Sequence, residues 1–114
     1  MKLYGISNCD TVKKARRWLS QHNIDYSFHD LRRDGLDEAT VQQWLDTLGA
    51  EILVNKRSTT WKNLDTELRN RLDETMIAKI LAAHPTLAKR PILNNEGNIL
   101  AGFSDSSYKT FFNL

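Results

Sequence analysis

An α/β fold, a mixed sheet interrupted by a helical segment, is what this chain of 114 residues predicts, and three observations carry the prediction. A strand, a helix and a second strand follow one another over residues 2–30. The stretch 36–85 reads as helical, and residues 92–101 read as a hairpin leading into a last helix. A strand–helix–strand unit closes through a right-handed crossover and makes its strands parallel, whereas a hairpin makes them antiparallel. The sheet is therefore mixed.

The elements follow in order. "KLYGI", residues 2–6, is a short alternating stretch that ends before a polar cluster, which predicts the first strand. From Thr11 to about His22, Val12, Ala15 and Leu19, with Trp18 beside them, recur at helical spacing, and Lys13, Lys14, Arg16 and Arg17 occupy the other positions. Asn23 stops this amphipathic helix. Ile24, Tyr26 and Phe28 then alternate with Asp25, Ser27 and His29, the period of a half-buried strand. Asp37 caps a helix carrying Val41, Trp44, Leu45 and Leu48 on one face, and Gly49 closes it. Residues 50–63 are less regular and include the polar, basic loop "NKRSTT". Leu64, Leu68 and Leu72 are spaced by four, and a further helix follows with Asp73 as cap. Met76, Ile77, Ile80 and Leu81 form its buried side, and the His84-Pro85 step ends it. Ile92, Leu93 and Ile99–Ala101 are two apolar runs joined by an Asn-Asn-Glu-Gly turn, and Tyr108, Phe111 and Phe112 belong to a closing helix from about Ser104. This is the element order of a thioredoxin-like, glutaredoxin-type fold. A single domain over 1–114 is expected, with its core at about 1–35 and 86–114 and a helical insertion at about 36–85.

Folding a chain of this length removes roughly 65% of its extended surface from water, enough for one core without a disulfide or structural metal. Sixteen Lys plus Arg against fourteen Asp plus Glu leave +2, so bulk charge selects neither nucleic acid nor a membrane as partner. No apolar run approaches the ~20 residues that a spanning helix needs. One cysteine excludes an intramolecular disulfide, and the reducing cytoplasm is the expected location.

That cysteine, Cys9, is the first candidate for chemistry. A lone cysteine is most often a small buried hydrophobe. Cys9, however, stands between the end of a strand and the first turn of a helix, flanked by Asn8 and Asp10 rather than by core residues. Backbone N–H groups and the macrodipole at a helix start favour an anion, and a thiolate is a nucleophile. Asp10 opposes this by like charge and Lys13, one turn on, supports it. Arg90 precedes Pro91 at the entry to the penultimate strand, where proline is at home at a strand start or in a cis turn. On its own Arg90 reads as a solvated basic residue. Asn55, Lys56 and Arg57 read as a solvated loop or as guanidinium and amide donors for an anion. His22, His29 and His84 lack metal-ligand spacing, no metal site is expected, and the three tryptophans read as packing aromatics. The paired basic residues at 13 and 14, 16 and 17, 32 and 33, 56 and 57, and 89 and 90 are scattered among acids, the pattern of a solvated surface.

Taken together, "YGISNCDTVKKARRWL", "NKRSTTWKNL" and "KRPIL", in that order and with matching element spacing, make the chain resemble the ArsC and Spx family, most closely its small YffB-like branch. The resemblance spans essentially the whole chain. It implies a thioredoxin-like sheet with an inserted helical subdomain, Cys9 at the start of the first long helix, a cis Pro91 in the facing loop, and Arg90 beside the sulfur. Arsenate reductases of this kind use a cysteine with three arginines. Here the cysteine falls on Cys9 and the second arginine on Arg90, but the first falls on Asn55, with Arg57 two residues away, and the third on Gly102. A histidine that often precedes the cysteine by four residues is Gly5. The second cysteine of the C-x-x-C switch common in Spx-type regulators is Val12.

The expectation that follows is a monothiol oxidoreductase. Cys9 is the nucleophile, Arg90 stabilises it, and Asn8, Asn55, Arg57 and Pro91 position glutathione, a co-substrate rather than a bound cofactor. Two alternatives accompany it. One is arsenate reduction completed by external thiols, with glutaredoxin as a possible partner. The other is an Spx-like regulator that binds the RNA polymerase α subunit without catalysis.

Overall fold

A computed structural model describes residues 1–57, 59–62 and 74–114 and separates them into two compact units, Met1–Asp34 with Arg90–Leu114, and Gly35–Lys89. The expected leucine run at 64, 68 and 72 and the cap at Asp73 lie outside the described residues.

The first unit is built on strands β1 (Lys2–Gly5), β2 (Ser27–Asp30), β3 (Ile92–Asn95) and β4 (Asn98–Ala101), in the order β2-β1-β3-β4. β1 and β2 are parallel, with Leu3 opposite Phe28, while β3 is antiparallel to both β1 and β4. This is the mixed, thioredoxin-like sheet. Helix α1 (Asp10–Gln21) makes the crossover from β1 to β2, and Val12, Ala15, Trp18 and Leu19 form its buried stripe. It ends in a Schellman turn: Asn23, at φ 55°, donates its N–H to the Ser20 carbonyl, and Ile24 donates to that of Leu19.

β2 is shorter than the alternation from Ile24 suggested. β1 has only four residues, so only residues 27–30 find backbone partners, and Ile24 and Tyr26 pack as half-buried side chains against the core instead. The turn at 96–97 is also tighter than expected. Asn94 and Asn95 belong to β3, and the loop is Glu96 and Gly97 alone, both at positive φ (53° and 90°), the two-residue geometry that matches strand twist. The Asn94 side-chain oxygen accepts the Gly97 N–H at 3.0 Å.

The helix after the hairpin, numbered α6 below, spans Asp105–Phe111. Ser104 caps it, and the Ser104 and Ser107 side chains bond reciprocally to each other's backbone N–H. Its Tyr108 joins Leu3, Ala15, Trp18, Leu19 and Leu93 in one buried cluster, which places α1 and α6 on the same face of the sheet. Trp18 ties them further by donating its indole N–H to Asp105 at 2.8 Å and meeting the Tyr108 ring edge-on. Each Leu or Ile wholly buried here contributes roughly 1.5–3 kcal/mol relative to exposure.

The second unit contains α2 (Glu38–Leu48), the single-turn helices α3 (Ala50–Leu53) and α4 (Thr59–Lys62), α5 (Glu74–Ala83) and a 3₁₀ turn at Pro85–Leu87. Asp37 caps α2 by accepting the Thr40 N–H at 2.7 Å, and Gly49, at φ 82°, ends it. α2 packs on α5, and Val41, Trp44, Leu45, Ile77, Ala78 and Leu81 are buried. Residues 53–55 lie antiparallel to 87–89: Asn55 donates its N–H to Leu87 and Lys89 donates to Leu53, both at 2.7 Å.

Candidate active site

Beyond β1 the chain runs through Ile6, Ser7 and Asn8 into Cys9, which is the N-cap of α1. Its extended backbone (φ −92°, ψ 126°) lets its carbonyl accept the Lys13 N–H at 2.9 Å, while its own N–H donates to Ile6 at 3.1 Å. A residue here normally turns its side chain back onto the first helical amides. The Cys9 side chain makes no such bond, and it is half-buried and free. A sulfur beside the unpaired amides of a twelve-residue helix is therefore uncommitted, in a field that favours negative charge.

Arg90 and Pro91 reach the same end of the sheet through β3. The antiparallel register pairs Tyr4 with Ile92, and one further step sets Pro91 opposite Gly5, where β1 ends and the Cys9 loop begins. The Arg90–Pro91 peptide is cis, Pro91 is buried, and its carbonyl accepts the Gly102 N–H at 2.8 Å. Arg90 is half-buried and Asn8 is exposed. Four of the expected site residues, Asn8, Cys9, Arg90 and Pro91, thus belong to loops at one end of the first unit. Asn55 and Arg57 belong to the second unit. There the Asn55 side-chain oxygen accepts the Arg57 N–H at 3.2 Å in a local turn, and the Arg57 side chain is exposed.

Asp30 is a residue the sequence reading passed over. Parallel pairing sets it against Gly5, so it ends β2 at the end of the sheet where the Cys9 loop starts. Its carboxylate accepts the N–H groups of Arg32 and Arg33 at 2.9 and 3.2 Å. Partial burial pushes this carboxyl up, but those amides, the Arg33 charge and the Ser7 hydroxyl outweigh it and hold the group below its ordinary value. Ser7 lies two residues before Cys9, in the loop that leads from β1 to the sulfur. An aspartate closing a strand parallel to β1 was the available signal.

The arrangement places a free thiol at a helix start and an arginine on loops at the same end of the sheet. Among the described residues no group of three His, Cys, Asp or Glu side chains is placed to hold a metal ion, and no helix is long and apolar enough to cross a membrane.

The comparisons with known proteins agree with this architecture. An uncharacterised protein of Haemophilus influenzae is 51% identical over 110 residues, which cover 96% of each chain. The global transcriptional regulator Spx of Lactiplantibacillus plantarum is 27% identical over 96% of this chain and 83% of its own. Among solved structures, a YffB protein superposes with a TM-score of 0.91 at 38% identity, covering 96% of both chains. An arsenate reductase-related protein of Brucella melitensis gives 0.76 at 41% identity, covering 99% of this chain and 94% of its own. The model of the ArsC family matches residues 4–111, nearly the full length, and the chain belongs to that family.

Proposed function

We propose that the chain is a thiol-based oxidoreductase in which Cys9 is the only protein nucleophile and glutathione the co-substrate. The observation that carries this reading is Cys9 at the N-cap of α1 with its side chain uncommitted. The Cys9 thiolate attacks the glutathione sulfur of a glutathionylated thiol, forming a Cys9–glutathione disulfide and releasing the other sulfur as a thiolate. A second glutathione thiolate then attacks the glutathione sulfur of that adduct. Glutathione disulfide leaves and the Cys9 thiolate returns, so atoms and electrons balance with no second protein thiol. Arg90 supplies positive charge to the sulfur and the bound anion, and Asn8 and Pro91 position the glutathione peptide.

The test is glutathione-dependent reduction of a glutathionylated peptide, followed through NADPH consumption by added glutathione reductase. Cys9→Ser is expected to abolish turnover. Arg90→Ala is expected to slow it roughly 10- to 100-fold, the worth of one hydrogen bond to a charged group. Full activity of Cys9→Ser would remove the mechanism. Arsenate in place of the peptide tests reduction of that oxyanion with external thiols. Consumption of glutathione as fast as with the peptide would favour arsenate.

The likeness to regulators named Spx supports a second reading, a module that binds the RNA polymerase α subunit without chemistry. That reading predicts capture of the α subunit's C-terminal domain, unchanged by Cys9→Ser.

A further inference from the structure

The buried stripe of α1 faces the core, and its opposite face carries Lys13, Lys14 and Arg17. At 100° per residue these three fall within an arc of about 100° on the solvent side. All three are exposed, and none makes an ion pair or side-chain hydrogen bond among the described residues. Arg16 adds a fourth charge on the flank, where it is held in place: its Nε donates to the Tyr26 hydroxyl at 3.0 Å and its guanidinium lies 4.1 Å from the Phe28 ring centre. Asp10 is the one carboxylate on this helix; it lies on the same face, one turn before Lys13 and Lys14, and leaves the stripe a net positive charge. Three of the unit's other carboxylates are already engaged, Asp30 with backbone amides, Asp34 with Arg33, and Asp105 with Trp18 and Lys109.

Helix stability accounts for only part of this arrangement. Asp10 stands three and four residues before Lys13 and Lys14, a favourable spacing, whereas Lys13 with Arg17 and Lys14 with Arg17 are like charges one turn apart, which repel. The stripe also begins one turn beyond Cys9. At 1.5 Å per residue it runs from about 6 to about 12 Å along the axis from the sulfur-bearing residue.

We propose that this face of α1 docks the protein substrate, selecting proteins in which Asp or Glu lies two to four residues from the oxidised cysteine. An extended chain advances about 3.3 Å per residue, so two to four residues from a sulfur held at Cys9 reach the span of the stripe. The proposal rests on the reading of Cys9 as the nucleophile. It fits a protein better than a nucleic acid, because no exposed aromatic ring lies on this face to stack a base.

The experiment compares two glutathionylated peptides that differ only in having Asp and Glu, or Lys and Arg, at those positions. Each is tested with the native chain and with Lys14→Glu/Arg17→Glu. The native chain is expected to prefer the acidic peptide by roughly tenfold or more in kcat/KM, chiefly through KM, and to lose the preference at high salt. The double variant is expected to reverse the preference while reducing the neutral disulfide of 2-mercaptoethanol at the native rate. Binding of a fluorescent acidic peptide that contains no sulfur, read by anisotropy, tests the surface apart from the chemistry. Equal kcat/KM for both peptides, or a preference that survives the charge reversal, would overturn the proposal. So would tighter binding of single-stranded oligonucleotide than of acidic peptide. Loss of turnover on every disulfide with acidic-peptide binding intact would retain the docking surface and remove Cys9 as its reaction partner.

Discussion

Val12 lies so close to Gly5 that a Cβ on Gly5 would stand 2.8 Å from one Val12 methyl and 2.9 Å from the other. The contact joins the last residue of β1 to the first turn of α1, and Val12 is wholly buried. Position 5 is where arsenate reductases of the family often have a histidine, and position 12 is where Spx-type regulators have a second cysteine. Here glycine at 5 leaves the room that the Val12 methyls fill.

Gly5→Ala is accordingly expected to destabilise the protein by about 1–3 kcal/mol through overpacking. Gly5→Ala/Val12→Ala should lose less than the sum of the two single substitutions. Urea midpoints of the four proteins in the cycle measure this coupling. Strict additivity would show that the two sites do not press on each other.

Tyr108 is fully buried, and its hydroxyl has no hydrogen-bond partner among the described residues. Burial alone pushes its ionisation far above the ordinary phenol range. Removing an unsatisfied buried hydroxyl relieves its desolvation, so Tyr108→Phe is expected to raise stability by about 1 kcal/mol, read as a higher melting temperature. The ring contacts with Trp18, Phe103 and Phe112 persist in the variant.

Asp105 accepts the Trp18 indole N–H and pairs with Lys109 at 3.1 Å. The indole bond first, then Lys109, hold its carboxyl below the ordinary value of 3.8. A group depressed on folding contributes stability above its unfolded pKa and loses it as pH falls through the folded one. The melting-temperature difference between the native chain and Asp105→Asn should therefore be constant above about pH 5 and shrink as the pH falls below the ordinary carboxylate range. A difference that grows in acid would contradict the assignment.

Much of this fold was legible in the sequence because its signals are local. The stripe Val12, Ala15, Trp18 and Leu19 marks α1, Asp37 and Gly49 bracket α2, and Glu96-Gly97 supplies the positive φ angles of a tight hairpin. The start of β2 was not legible, because alternation from Ile24 says nothing about how long a partner β1 provides. The single-turn helices α3 and α4 are too short to show a period. At the site, Cys9 could be placed from the strand-to-helix junction alone, whereas its neighbours depend on pairing between distant segments. Pro91 reaches the end of β1 through the β1–β3 register, and Asp30 through the β1–β2 register. Family resemblance suggested the first and hydrophobic pattern suggested neither. The stripe on α1 is indistinguishable in sequence from ordinary solvated surface, since spacing along the chain does not show which carboxylates are already engaged.

Intact-protein mass spectrometry shows whether Cys9 forms a disulfide with glutathione that an external thiol resolves. After incubation with glutathione disulfide the native chain is expected to carry a single glutathione adduct and Cys9→Ser none, and reduced glutathione is expected to remove the adduct completely. A native chain that takes up no glutathione, or an adduct that reduced glutathione leaves in place, would contradict the proposed mechanism.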